Sequence, residues 1–192
     1  MRQKILKIVA MFFFLPGMAL AHTGVGETTG FMHGVGHPIG GADHLLAMIA
    51  VGIWAAQVGG RALWIVPCTF VGVMVLGGVL GFAGVPVPFI EQGILLSVLI
   101  LGVLIAGAFK LPLVYSALIV GFFAIFHGFA HGAEMPAAMA AASYTAGFAL
   151  ATALLHLAGM GLSIYMSKIN LPAVSRFAGG AIAFSGVYLA IS

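Results

Sequence analysis

The stretch at residues 37–56, "HPIGGADHLLAMIAVGIWAA", passes from two histidines and an aspartate straight into an apolar run with no further charge. Read outward from here, apolar runs of this kind recur to the end of the chain. About 20 such residues are the length of helix that crosses the hydrocarbon of a bilayer. Of the 192 residues, 62% are hydrophobic and 6% are charged, whereas about a quarter of a soluble domain is charged. The chain therefore reads as an all-α integral membrane protein. Its single cysteine, Cys68, lies in an apolar run and is expected to be buried packing. One thiol makes neither a disulfide framework nor a thiolate cluster, so any bound metal must be held by nitrogen and oxygen.

Residues 1–21 have the form of a cleaved signal peptide. Arg2, Lys4 and Lys7 precede an apolar core, and Ala19-Leu20-Ala21 fits the small-x-small cleavage rule. An uncleaved first membrane helix is the alternative, but that core is short for a span. Cleavage would start the mature chain at His22 and leave it formally neutral, so nucleic acid is not an expected partner. Residues 22–192 are expected to form one domain, a six-helix transmembrane bundle with spans at about 38–58, 62–83, 89–109, 111–131, 136–166 and 171–191. With an exported start and one crossing per span, Arg61, Lys110 and Lys168 fall inside, in agreement with the positive-inside rule. Trp54, Trp64 and Tyr115 then read as interfacial anchors near the inner ends of their helices. Small-residue spacings such as Gly77 with Gly81 read as helix packing.

The same parity gathers all four acids and six of the seven histidines on the outer side. An ionisable group at bilayer depth costs about 2.5–3.5 kcal/mol on insertion scales, so these groups need one another or a cation. In "FHGFAHGAE", residues 126–134, His127, His131 and Glu134 share one helical stripe, a spacing suited to metal ligation. An interhelical hydrogen-bond stripe is the bland alternative. His37 and His44 would lie about 10 Å apart along a regular helix, too far to share an ion. Pro38 and the Gly40-Gly41 pair argue against a regular helix, and a break there would bring His37 back toward Asp43 and His44. Glu91, opening the third span, lies on the same side. The outlying candidates are His22 and His33 as outer capture groups, His156 as an inner exit ligand, and Met48 as a soft ligand one turn below His44. For each, a structural role is the simpler reading.

The two motifs, His37-x5-Asp43-His44 and Phe126-His127-Gly128-x-Ala130-His131-Gly132-x-Glu134, resemble the signatures of the HupE/UreJ family of nickel permeases. The resemblance covers essentially the whole mature chain. It implies a bacterial inner-membrane permease whose metal residues are His37, Asp43, His44, His127, His131 and Glu134, with Glu91 a looser counterpart. It further implies nickel as cargo, cobalt as a second substrate, no prosthetic group, and supply of a hydrogenase or urease through intracellular metal-capturing proteins. Lipid surrounds such a protein, and a homo-oligomer is compatible with it. Imidazole and carboxylate suit nickel, cobalt, zinc and copper alike, so the donors alone do not choose. A zinc-dependent intramembrane hydrolase is the competing class, with three ligands, an open water position and a carboxylate base. Seven donors over three helices look more like successive sites than one tight centre, so the protein is expected not to be an enzyme.

Overall fold

The computed structural model describes residues 30–135 and 140–191. The expected signal peptide and His22 lie outside the described residues. Seven helices follow in order: α1 Gly30–Gly40, α2 Ala42–Val58, α3 Ala62–Phe82, α4 Ile90–Ala106, α5 Leu113–Ala133, α6 Ala141–Lys168 and α7 Pro172–Ile191. No strand occurs among the described residues. Four of them, α3, α5, α6 and α7, are long and apolar enough to cross a membrane. The pair α1 and α2 meets the same test together, bent by 84° at their junction, and α4 is a shorter apolar helix of 17 residues.

The first expected span, 38–58, is corrected by this break. Residues 38–40 belong to α1, a helix the sequence reading did not foresee, and the chain turns at Gly41 with an extended backbone. Pro38 sits in the last turn of α1, where its missing N–H takes one bond, that to the Gly34 carbonyl, from a helix that ends two residues later. The third expected span, 89–109, also shortens, since Ala108 takes a left-handed backbone and ends α4 at Ala106.

Helix ends in an apolar medium need partners for their last carbonyls. Those of α4 and its following turn are met by side chains from distant helices. Gln57 Nε2 donates to the Ile105 carbonyl at 3.2 Å, Arg176 Nε to Ala106 at 2.9 Å and Trp54 Nε1 to Phe109 at 2.9 Å. Trp54 is thus fully buried and is no lipid-facing anchor, while Trp64 and Tyr115 are exposed as expected. Cys68 is also a correction: it is exposed on α3, where the outward surface is apolar and suits lipid as well as core.

The bundle is held by close backbone crossings. A Cβ at Gly128 or Gly132 of α5 would fall on the carbonyl oxygens of Met74 or Gly78 of α3, and Gly77 and Gly81 reciprocate against Ile125 and Phe129. That is the packing expected of the small-residue spacings. α2 runs through the middle, with Ala47, Met48, Ala50, Val51 and Trp54 fully buried against α3, α4 and α6. Met48 is therefore core, its sulfur one of several filling the interior. Large apolar side chains such as Leu76, Phe122, Leu154 and Phe184 point outward. Because the helices alternate in direction, Asp43, Glu91 and Glu134 fall at one end of the bundle and Arg61, Lys110 and Lys168 at the other.

Candidate metal path

The 84° bend folds α1 over the acidic end of the bundle, so His37 comes down on α5 rather than continuing the line of α2. His37 Nε2 lies 3.0 Å from Glu134 Oε2. Its ring centroid is 4.8 Å from that of His131, which is 4.8 Å from His44, which in turn is 4.8 Å from His127. Phe70 follows, 5.6 Å from His127 and 5.2 Å from His156. Five imidazoles drawn from α1, α2, α5 and α6 thus form a file running from Glu134 into the bundle.

The hydrogen bonds fix how each ring presents itself. Asp43 Oδ1 lies 3.0 Å from His44 Nδ1; a carboxylate accepts, so Nδ1 carries the proton and Nε2 keeps its lone pair. Ser97 spends its one proton on the Ile94 carbonyl at 2.6 Å, so it must accept from His127 Nε2 at 2.9 Å, leaving Nδ1 the free lone pair. The Met48 carbonyl accepts from His156 Nδ1 at 2.8 Å and frees Nε2 likewise. The liberated atoms, His44 Nε2, His127 Nδ1 and His156 Nε2, are buried without a hydrogen-bond partner, as are both ring nitrogens of His131. Such an atom costs about 1–3 kcal/mol if nothing meets it. An orienting carboxylate, hydroxyl or carbonyl behind an imidazole is the usual support of a metal-ligating histidine.

Asp43 therefore stands behind His44 with one oxygen committed, and Glu134 at the mouth is more than half exposed. The hydrogen bond from His37, outweighing partial burial, holds the Glu134 carboxyl below the usual range, so it is anionic at neutral pH. Among the described residues, no three His, Cys, Asp or Glu side chains converge on a single ligation point. The donors are strung out in sequence rather than gathered into one cage.

The family model for the HupE / UreJ protein matches residues 9–189. The chain belongs to the HupE/UreJ family. It is similar to Protein HupE of Rhizobium leguminosarum bv. viciae, 47% identical over 178 residues, which is 92% of this chain and 92% of that protein. No solved structure matches it.

In this HupE/UreJ member the fold brings together His37, Asp43, His44, His127, His131 and Glu134, and it adds His156 beyond Phe70. Glu91 is exposed in the first turn of α4, and no hydrogen bond or ion pair joins it to the file. His33 is exposed one turn before His37, its ring 6.1 Å from Tyr144. Sequence reading missed Ser97, which reads as ordinary small-residue packing in an apolar span. It also missed Tyr144 and Phe148: Tyr144 is 5.9 Å from His37 with a buried, unpartnered hydroxyl, and Phe148 stacks on His131 at 4.8 Å. The one available signal was a tyrosine and a phenylalanine four apart on α6, a spacing common in any apolar helix.

Proposed function

We propose that this protein is a permease for divalent transition-metal ions, carrying nickel by preference and cobalt as a second substrate. The observation that carries the reading is the file of imidazoles with buried, unpartnered ring nitrogens, three of them, His44, His127 and His156, held in one tautomer from behind. A cation entering at Glu134 and His37 exchanges water for neutral imidazole and passes to His131, His44 and His127. Phe70 then separates this outer set from His156. Successive weak sites let an ion enter and leave, and the absence of a three-donor cage among the described residues suits passage better than the open zinc centre a hydrolase requires.

The bent pair α1–α2 and helices α3 to α7 make six crossings in this reading, with α4 at the short end of the spanning range. Residues 1–21 serve as a cleaved signal, and residues 22–192 form the single domain. The histidine end faces the periplasm and the basic end the cytoplasm, in a bacterial inner membrane. Glu91, on the periplasmic side, helps to attract the ion, and His22 and His33 extend that capture zone. No carboxylate among the described residues lies at the basic end, so the simplest drive is the membrane potential, about 2.3 kcal/mol per charge per 100 mV, with intracellular capture by proteins that load a hydrogenase or urease.

The test is initial uptake of radiolabelled nickel at trace concentration by cells holding equal membrane amounts of wild type or Asp43→Ala. Wild-type-dependent uptake that collapses in the variant is expected, and competition with cobalt, zinc and copper ranks the substrates. Uptake equal to that of empty cells, with a stoichiometric metal retained on the purified protein, would overturn the permease.

A further inference from the structure

The basic end holds a second polar site, remote from the histidine file. A cavity of about 360 Å³ opens between the C-terminal ends of α2, α4 and α6 and the start of α7. Lys110, Lys168 and Arg176 line it together with Ser163, Ser167 and Ser175. The described carboxylates all lie at the opposite end, so no acid balances these three cations. Arg176 is anchored at the wall by its bond to the Ala106 carbonyl. Ser175 is only 3% exposed and its hydroxyl has no partner. Gln57 Oε1 is also buried and unpartnered, so the lining holds an amide acceptor beside its donors.

We propose that this cavity binds a phosphate ester whose alcohol portion carries a hydrogen-bond donor. The phosphate oxygens take the lysines, the guanidinium and the serine hydroxyls, bonds that are strong because they are charge-assisted. Pro172 also lines the cavity, so the positive end of the α7 dipole lies beside the same anion. The donor of the alcohol portion meets Gln57 Oε1. A phosphoglycerol lipid headgroup has this chemistry, and so does a soluble glycerol phosphate. In the proposed orientation the basic helix ends bring the site to the membrane surface, and Ile164 carries its wall onto the outward apolar surface, which favours the lipid. The inference is independent of metal transport.

The experiment is native mass spectrometry of the purified full-length chain in detergent, titrated with phosphatidylglycerol or phosphatidylcholine. Wild type, Lys110→Gln/Lys168→Gln and Ser175→Ala are compared, with thermal melts in the presence of inorganic phosphate or glycerol phosphate. Wild type is expected to retain one phosphatidylglycerol in preference to phosphatidylcholine, and the lysine variant to hold it about tenfold more weakly. Ser175→Ala is expected to weaken retention without lowering the lipid-free melting temperature, because it removes a hydroxyl that is unpartnered when the cavity is empty. It decides the matter alone if the double variant is not recovered. Displacement of the lipid by glycerol phosphate, with a raised melting temperature, assigns the same site to a soluble ester. Equal retention of both lipids by all three proteins, with no shift from either soluble anion, would overturn the proposal.

Discussion

His127 can present either ring nitrogen to the file, and Ser97 decides which, because its own proton is already given to the Ile94 carbonyl. Ser97→Ala removes the acceptor and frees the ring to flip, so nickel uptake is expected to fall about 10- to 100-fold, the usual cost of losing such support. Ser97→Thr, which keeps the hydroxyl, is expected to restore most of it. An unchanged rate for Ser97→Ala at equal expression would sink the tautomer argument. In the proposed path a ligand must be deprotonated to hold the ion, so uptake is expected to depend on pH. Glu134 has a depressed pKa, so its contribution is present above the ordinary carboxylate range and is lost only on descent through the lower value. Any loss of uptake between neutral pH and the ordinary carboxylate range therefore comes from groups other than Glu134, and Glu134→Gln is expected to show the same fall as wild type. A fall that Glu134→Gln abolishes would contradict that assignment.

At the scale of the helix, the histidine stripe of α5 runs beside its packing stripe. Gly128 and Gly132 follow His127 and His131 by one residue, about 100° round the helix, and this neighbouring face lets α3 approach to backbone contact. Gly128→Val drives a side chain into the Met74 carbonyl and is expected to destabilise the protein by at least about 1–3 kcal/mol. Gly72→Ala, on α3 where a Cβ meets nothing, is the matched control and should be neutral or slightly stabilising. Detergent-phase melting curves of the two variants test the seam. The end of α4 allows a subtler case. Trp54→Phe deletes the hydrogen bond to Phe109 and should cost about 1 kcal/mol in the same melt, with nickel uptake at matched membrane levels nearly unchanged, because Trp54 lies at the basic end, away from the imidazoles.

For the whole molecule, the separation of charge between the two ends is the property that orients it. Among the described residues the acids and most histidines occupy one end, and Arg61, Lys110 and Lys168 the other, so the basic end is expected to stay in the cytoplasm. In a Cys68→Ala background, Gly84→Cys in the turn between α3 and α4 is expected to react with a membrane-impermeant thiol reagent from the periplasm. Gly60→Cys, between α2 and α3, is expected to react only after the membrane is opened. Labelling of Gly60→Cys in intact cells would reverse the orientation and the direction of the proposed path.

Composition, run length and the placement of charges were enough to establish an all-helical protein with apolar helices of spanning length, and the spacing of His127, His131 and Glu134 marked one stripe of the candidate site. Those properties are local: a helix period and a hydrocarbon length can be read along the chain. The break at Gly41 was legible as a place where helix is disfavoured, but not its 84° angle. That angle depends on α1 packing against α6 through Gly34 of one and Gly147 of the other, a contact between residues more than a hundred positions apart. Trp54 and Cys68 were misplaced for the same reason. In an apolar span, core-facing and lipid-facing positions carry the same residue types, so hydropathy does not tell them apart. Ser97, Tyr144 and the Met48 carbonyl behind His156 belong wholly to tertiary structure. A hydroxyl acquires a role only when another helix sets a ring nitrogen within hydrogen-bond distance of it.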